Sequence, residues 1–250
     1  MSLWIKICAN TTLADAQLAA NAGADAVGFV FAPSPRQITP AQAASIIPHL
    51  PATLEKIGVF VDASFDDIAS TVETAGLTGV QLHFEATPEL SAELRARFGP
   101  GLRILHVVHF GAEQNTRQEG ALSSLVSGHD FSHAETDPLY EKGAFAPEGI
   151  FSDCSIDAVL VDSRTATAVG GTGKTFDWHL AATTVLQNAK ARERLVAAGG
   201  LTPDNVAEAI AVLHPWGVDV VSGVESVPGR KDHTKVRDFI ANARAASKPS

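Results

Sequence analysis

Short, mostly apolar runs alternate along the chain with segments in which apolar side chains recur at helical spacing. Residues 3–9 form the first apolar run, residues 12–22 follow with roughly helical spacing, and residues 25–31 are again mostly apolar. Continuous apolar runs of this length are typical of parallel strands that helices cover on both faces. The pattern therefore predicts an α/β protein with a parallel sheet.

The same alternation continues through the rest of the chain. The predicted strands are residues 3–9, 25–31, 54–61, 79–83, 102–109, 157–162, 194–198 and 217–222. The predicted helices are residues 12–22, 40–49, 64–75, 87–98, 177–188, 203–213 and 231–245. Eight strands, seven of them with a clear following helix, in 250 residues fit a single (βα)8 TIM barrel. The alternative, an open doubly wound sheet, usually has a glycine-rich turn after its first strand, whereas residues 8–11 contain no glycine.

One connection of the predicted barrel is much longer than the others. Residues 110–155 separate the fifth strand from the sixth, and apart from a weak helical pattern near residues 117–127 they are polar and rich in Gly, Pro and His. Long segments of this kind are usually lids or mobile insertions. We therefore expect one domain over residues 1–250 with an irregular insertion at about 110–155.

Composition and charge exclude several classes of function. The chain has 19 Lys and Arg against 28 Asp and Glu, a formal net charge of −9, which disfavours sequence-independent binding of nucleic acid. It contains neither a signal-peptide pattern nor an apolar run of the roughly 18 residues that a membrane span needs. Two cysteines cannot form a disulfide framework. The sequence predicts a cytoplasmic protein that binds neither nucleic acid nor membranes.

Glycines occupy the last three strand-to-loop junctions, at residues 170–173, 199–200 and 222–223. Each glycine taken alone is typical of an ordinary turn. The loops after strands seven and eight are, however, the frequent phosphate site of TIM barrels, and glycine lets a backbone N–H approach a ligand oxygen closely. The three junctions together predict a phosphate site. Its predicted residues are Gly171, Gly173, Gly199, Gly200, Ser222 and Gly223.

Two side chains at strand ends have the chemistry of a base and an acid. Cys8 ends the first strand; a lone cysteine is usually a core residue, but a thiol among amides or cations would have a lowered pKa and could act as base or nucleophile. Asp162 ends the sixth strand and is either a structural cap or a general acid that faces Cys8 across the barrel. Cys154, in the insertion, is interpreted as incidental.

Arg36 and His83 are the remaining polar candidates at strand ends. Arg36 is either a surface charge or a bidentate ligand for a carboxylate or phosphate. The spacing around His83 favours a hydrogen-bonded core histidine over a site residue. No cluster of His, Cys and Asp has the spacing of a zinc site, and no metal or other cofactor is predicted.

Sequence blocks along most of the chain resemble the phosphoribosylanthranilate isomerase family, with residues 110–155 outside the resemblance. They are residues 6–8 (KIC), 23–31 (GADAVGFVF), 34–36 (SPR), 58–61 (GVFV), 80–83 (VQLH), 162–163 (DS), 170–173 (GGTG), 176–178 (FDW), 198–201 (AGGL), 217–220 (GVDV), 222–225 (SGVE), 228–229 (PG) and 231–232 (KD). The blocks occur in the family's order, and several of them are specific to it.

This resemblance implies an isomerase of tryptophan biosynthesis. Such an enzyme converts N-(5'-phosphoribosyl)anthranilate to 1-(2-carboxyphenylamino)-1-deoxyribulose 5-phosphate by an Amadori rearrangement. By the family's pattern, Cys8 is the general base, Asp162 is the general acid and Arg36 holds the anthranilate carboxylate, while the glycine loops hold the phosphate. The resemblance further implies that His83 and Asp219 contact the substrate.

Three positions depart from the family pattern. Ala9 and Phe84 stand where glycine is usual, and Val221 replaces the first of two serines. None of these departures removes the base, the acid or the carboxylate ligand.

Two other functions compete with this interpretation. One is another barrel isomerase or lyase that acts on a phosphorylated sugar; the related isomerase of histidine biosynthesis uses two aspartates, so Cys8 argues against it. The other is a catalytically silent barrel that binds a sugar phosphate, against which the presence of both Cys8 and Asp162 argues. The expected partner is a small phosphorylated substrate, and the expected assembly is a monomer or a weak homodimer.

Overall fold

Eight parallel strands close into a barrel. The computed structural model describes residues 2–83, 87–111, 154–164, 178 and 194–247. The barrel strands are β1 (Trp4–Ile7), β2 (Ala26–Val30), β3 (Glu55–Val61), β4 (Gly79–His83), β5 (Arg103–Gly111), β6 (Ala158–Arg164), β7 (Leu195–Ala197) and β8 (Gly217–Val220). Each strand pairs with its neighbour in sequence, and β8 pairs with β1. The predicted (βα)8 barrel is confirmed.

Helices cover the outside of the barrel. They are α1 (Leu13–Ala22), α2 (Pro40–Ile46), α3 (Phe65–Ala75), α4 (Pro88–Phe98), α5 (Val206–Leu213) and α6 (His233–Ala246). Local sequence sets where most of them begin, because a Thr, Ser or Asp side chain caps the first turn of α1, α2, α3, α4 and α6. Gly23 and Gly76 end α1 and α3 in the left-handed conformation.

Alternation along the strands divides the core into two layers. Residues such as Ile5 and Ile7 face outward and pack with Leu18 of α1 and Phe239 of α6 in the larger apolar cluster. The other face of the strands points into the barrel, where a second cluster contains Trp4, Ala26, Ile57, Leu105, Leu160 and Val196. The inside of the barrel is therefore filled with side chains, as expected for eight strands.

The structure differs from the predicted pattern at the end of the last barrel strand. Residues 221 and 222, predicted as strand, leave the sheet, and Ser222–Val224 form a 3₁₀ turn. A two-stranded antiparallel hairpin follows, with β9 (Glu225–Val227) and β10 (Arg230–Lys231). The sequence pattern missed this hairpin because its strands have only three and two residues.

Some predictions fall outside the described residues. They concern the part of the predicted insertion 110–155 that lies between Gly111 and Cys154, together with the weak helix at 117–127. They also concern the helix at 177–188 except for Trp178. The described strands β5 and β6 flank the insertion as expected. Within the described part of the chain, no helix combines the length and the apolar character of a membrane span.

The turn from β1 to α1 places a non-glycine residue in the left-handed region. Ala9 has φ 60° and is buried. Asn10 holds the turn, since its side-chain amide donates to the carbonyl oxygens of Ile7 at 2.8 Å and Gly28 at 3.2 Å. The position therefore favours glycine for a backbone reason, because a Cβ is strained at this φ.

We expect Ala9→Gly to destabilise the protein less than Ala16→Gly in the buried face of α1. Both variants lose a buried methyl group and make the unfolded chain more flexible, but only Ala9→Gly relieves left-handed strain, which is worth about 1–2 kcal/mol. Urea unfolding of both variants and the parent measures the difference. Equal losses would show that Ala9 is not strained.

Candidate active site

A cavity of about 950 Å³, including its open mouth, lies at the C-terminal ends of the barrel strands. Nine of the eleven predicted site residues line it: Cys8, Arg36, His83, Asp162, Gly199, Gly200, Asp219, Ser222 and Gly223. The other two, Gly171 and Gly173, lie outside the described residues. Side chains that are far apart in sequence thus meet at one site, as the barrel topology predicts.

Strand alternation puts polar side chains inside the barrel in pairs. Lys6 and Cys8 are two residues apart, as are Gln81 and His83, and Asp219 lies on β8 next to β1. Residues at positions i and i+2 of a strand face the same side. The inner face that is apolar near the bottom of the barrel, at Trp4, therefore becomes polar and ionic towards the mouth.

Lys6 is the ionic centre of this interior. Its side chain is fully buried, its Nζ donates to Gln81 Oε1 at 2.7 Å, and it lies 3.0 Å from Asp219 Oδ1. Burial lowers the pKa of Lys6, but Asp219 and Cys8 outweigh that effect and raise it overall. Lys6 is therefore a charged ammonium, and its carboxylate partner is held on the adjacent strand, where Lys6 and Asp219 are paired in register.

The Lys6 hydrogen bond also fixes the side chain of Gln81. Since Gln81 Oε1 accepts from Lys6, its amide nitrogen Nε2 faces His83 Nε2, at 2.8 Å. An amide nitrogen only donates, so His83 Nε2 is the acceptor and the imidazole is neutral, with its proton on Nδ1. Lys6 thus determines, through Gln81, the tautomer that His83 presents at the cavity.

Cys8 lies next to Lys6, and its pKa is shifted in the direction opposite to our expectation. Burial raises the pKa of the Cys8 thiol and the Asp219 carboxylate adds to this, while the ammonium groups of Lys6 and Lys231 lower it without cancelling the rise. The lowered pKa predicted from amide-rich surroundings is therefore wrong. Cys8 is a thiol at neutral pH, and its thiolate, once formed, is a stronger base than an ordinary one.

Two glycines leave room where the backbone or side chains approach closely. A Cβ on Gly28 would lie 2.5 Å from Cys8 Sγ and 3.1 Å from Lys6 Cε, so Gly28 makes the space in which both side chains sit. A Cβ on Gly223 would collide with the carbonyl oxygen of Leu201. The loops after β7 and β8 therefore pack backbone against backbone, which brings Gly199 and Gly200 next to Ser222 in the cavity wall.

Arg36 reaches the cavity from the loop after β2 and is paired with Glu225 of β9. Its Nε donates to Glu225 Oε1 at 2.9 Å and to Oε2 at 3.1 Å, and its Nη2 donates to Oε2 at 2.7 Å. Burial raises the pKa of Glu225, but the hydrogen bonds from Arg36 and the charge of Lys231 more than offset it, so the pKa falls. Glu225 is thus an ionised carboxylate, and the possibility that Arg36 is only a surface charge is wrong.

Of the two remaining candidates, Asp162 and Cys154, only Asp162 lines the cavity. Asp162 lies on β6, half-buried, with its side chain in the cavity wall. Cys154 is exposed and lies in a turn before β6, outside the cavity lining. Phe84, one of the departures from the family pattern, lies outside the described residues, whereas Val221 lines the cavity.

Four residues of the site received no role from sequence reasoning: Lys6, Gln81, Glu225 and Lys231. Lys6 and Gln81 could have been found, because a charged or amide side chain two residues before Cys8 or His83 in a buried strand needs a polar partner inside the barrel. Glu225 and Lys231 gave no such signal, since they belong to the hairpin that the pattern missed.

Comparison with known proteins matches almost the whole chain to the family that the sequence blocks resemble. The family model described as N-(5'phosphoribosyl)anthranilate (PRA) isomerase matches residues 5–125 and 144–242. The unmatched internal stretch, residues 126–143, is shorter than the insertion of 110–155 predicted from the sequence pattern.

Individual relatives and structures agree with the family model. The N-(5'-phosphoribosyl)anthranilate isomerase of Pelobacter propionicus is 42% identical over 96% of this chain and 95% of its own length, and that of Geobacter sp. strain M21 is 40% identical over 97% and 98%. The crystal structure of the Thermotoga maritima phosphoribosyl anthranilate isomerase has a TM-score of 0.72 at 34% identity and covers 97% of this chain and 99% of that one. A phosphoribosyl anthranilate isomerase in complex with reduced 1-(o-carboxyphenylamino)-1-deoxyribulose 5-phosphate has a TM-score of 0.69 at 31% identity, with the same coverage. With the barrel and the cavity already described, these matches show that the chain belongs to the N-(5'-phosphoribosyl)anthranilate isomerase family.

Proposed function

We propose that the protein converts N-(5'-phosphoribosyl)anthranilate to 1-(2-carboxyphenylamino)-1-deoxyribulose 5-phosphate in tryptophan biosynthesis. The observation that carries the proposal is that a thiol, a carboxyl group and a guanidinium, those of Cys8, Asp162 and Arg36, line one cavity. The related enzyme crystallised with the reduced form of this product supports the substrate class.

The cavity offers an anchor for each charged end of the substrate. The backbone around Gly199, Gly200, Ser222 and Gly223 forms one wall, and amides in such loops bind phosphate. Arg36 stands in the wall as the ligand for the anthranilate carboxylate. Two fixed ends would hold the reacting carbons between them, which lowers the entropic part of the barrier.

The reaction then needs one acid and one base. Asp162, protonated, donates its proton to the ribose ring oxygen, the bond from that oxygen to C1 breaks, and the nitrogen lone pair forms an iminium. Cys8, as thiolate, removes the proton from C2, and the electrons of that bond neutralise the iminium to give an enolamine. Tautomerisation gives the ketone. Every step is a proton transfer coupled to bond rearrangement, so the scheme calls for neither a metal nor a redox cofactor.

The charged groups inside the barrel affect how readily the Cys8 thiol ionises. The ammonium groups of Lys6 and Lys231 stabilise the Cys8 thiolate, while burial and Asp219 oppose its formation. The thiolate is therefore a minor species at neutral pH. A general base works best when its pKa lies near the working pH, so Lys6 and Lys231 favour the reaction by bringing the pKa of Cys8 back towards that range.

Three further expectations stay predictions: the cytoplasmic location, the single domain with its insertion, and assembly as a monomer or weak homodimer. The Thermotoga maritima relative is described as dimeric.

We expect the two cysteines to differ sharply in their effect on activity. Cys8→Ser should lower kcat by at least about 10²-fold, the lower range for a general base, while affinity for the reduced product analogue stays near that of the parent. Cys154→Ser should leave kcat near that of the parent, because this side chain is exposed and outside the cavity. The loss of substrate fluorescence measures the rates.

Two outcomes of that assay would contradict the proposal. A parent protein without activity on N-(5'-phosphoribosyl)anthranilate would contradict the function itself. Equal losses in the two cysteine variants would contradict the assignment of Cys8 as the base.

We also expect the Cys8 thiol to ionise above the pH range of an ordinary cysteine, because burial raises its pKa. Thiolate absorbance at 240 nm can be titrated in Cys154→Ser, with the Cys8→Ser, Cys154→Ser double variant as the blank. The difference should stay small at pH 8.5, where an ordinary thiol is about half ionised. A thiolate step below pH 8 would show that the cations outweigh burial.

A further inference from the structure

Glu225 occupies one edge of the Arg36 guanidinium and leaves the other edge for a ligand. Glu225 takes the Nε–H and one Nη2–H of Arg36, which is one edge of the planar guanidinium. The other three of its five donors belong to Nη1 and Nη2 on the outer edge, which can hold a second carboxylate in a bidentate manner. Arg36 lines the cavity and Glu225 does not, so Glu225 holds Arg36 from outside the cavity lining.

Glu225 is itself held in place from other directions. The backbone N–H of Gly229 donates to its Oε1 at 3.2 Å, and Nζ of Lys231 lies 3.5 Å from the same oxygen. The hairpin that carries both residues is fastened to the loop after β1, where Thr11 Oγ1 donates to the carbonyl oxygen of Gly229 at 2.6 Å. Glu225 is nearly fully buried, so a rigid support fixes the orientation of Arg36.

Lys231 sets the net charge of this group. A guanidinium paired with a single carboxylate has no net charge with which to attract an anionic ligand. The side chain of Lys231 is fully buried beside the same carboxylate. Burial lowers the pKa of Lys231, and the Glu225 carboxylate opposes that shift. With Lys231 protonated, Arg36, Glu225 and Lys231 together carry one positive charge. That charge matches the single negative charge of one substrate carboxylate.

We propose that Glu225, supported by Lys231, is a positioning residue that fixes the guanidinium of Arg36 so that its outer edge reads the carboxylate of the substrate. The proposal rests on the proposed function. Without Glu225, Arg36 would still carry its charge but would sample several rotamers, and the site would lose its preference for a ligand that bears the carboxylate.

Two ligands separate this role from a merely structural one. The first is reduced 1-(o-carboxyphenylamino)-1-deoxyribulose 5-phosphate, and the second is the same compound without the carboxylate. Loss of structure would weaken both ligands alike, whereas loss of positioning weakens only the first. In the parent protein we expect the carboxylate to add about 10- to 100-fold in affinity, the range for hydrogen bonds to charged groups.

The variants are Glu225→Gln, Glu225→Asp and Arg36→Lys, with Glu55→Gln as the matched control. Glu55 pairs with Arg103 through the same two guanidinium nitrogens, with its oxygens 2.6 and 2.8 Å from Arg103 Nε and Nη2, at the opposite end of the barrel. Glu225→Asp keeps a negative charge near Lys231, so it tests the proposal even if Glu225→Gln fails to fold. Calorimetric titration of both ligands gives the ratio of dissociation constants.

The expected result is that this ratio falls towards one in Glu225→Gln, Glu225→Asp and Arg36→Lys, while the ligand without the carboxylate binds as in the parent. Glu55→Gln should keep the parent ratio. A parent ratio retained in Glu225→Gln and Glu225→Asp would overturn the positioning role and leave the proposed function intact. A parent that binds both ligands equally would overturn both the positioning role of Glu225 and the assignment of Arg36 as the carboxylate ligand.

Discussion

A buried ammonium inside the barrel is the constraint on which the rest of the site depends. Lys6 has no exposed surface, and a charge in that position destabilises the fold unless its hydrogen bonds and its charge are matched. Asp219 matches the charge and Gln81 accepts a hydrogen bond. These two partners come from β8 and β4, so one side chain on β1 ties together strands from opposite parts of the barrel.

The chemistry at the mouth follows from this arrangement. The ammonium stabilises the thiolate of Cys8, and through Gln81 it sets the neutral tautomer of His83. Its carboxylate partner, Asp219, works against the thiolate, as does burial. The interior thus holds Cys8 as a thiol at neutral pH, and the proposed proton transfer from carbon depends on the cations that favour its thiolate. A second buried lysine, Lys231, lies beside the Arg36 pair on the hairpin after β8, and its ammonium form also favours the Cys8 thiolate.

Most of the fold could be predicted from the sequence, because strands and helices of a parallel barrel have clearly different apolar periods. Gly79–His83 has the predicted bounds, and Leu13–Ala22 and Phe65–Ala75 differ by one residue. The positions of Cys8, Arg36 and Asp162 in one cavity could also be predicted, since barrel strands end at a common mouth. The glycine departure at Ala9 has a backbone meaning that sequence alone does not reveal, which is a positive φ.

What could not be predicted depends on pairing in space. The hairpin strands are too short to show an apolar period. The sequence therefore did not reveal that Glu225 pairs with Arg36, although Glu225 belongs to one of the family motifs. The pKa of Cys8 was predicted in the wrong direction because neighbouring cations suggest a lowered value, while only the structure reveals that burial outweighs them. Gly171 and Gly173 lie outside the described residues, so their place in the phosphate site stays a prediction.

A double-mutant cycle on Lys6 and Asp219 tests the central claim most directly. Urea unfolding would be measured for the parent, Lys6→Met, Asp219→Leu and the double variant. We predict that each single variant loses about 3–5 kcal/mol of unfolding free energy, because each leaves one buried charge without its partner, and that the double variant loses less than the sum of the two. Losses that simply add would show that the two charges are independent, and would contradict the account of Lys6 as the ionic centre of the barrel.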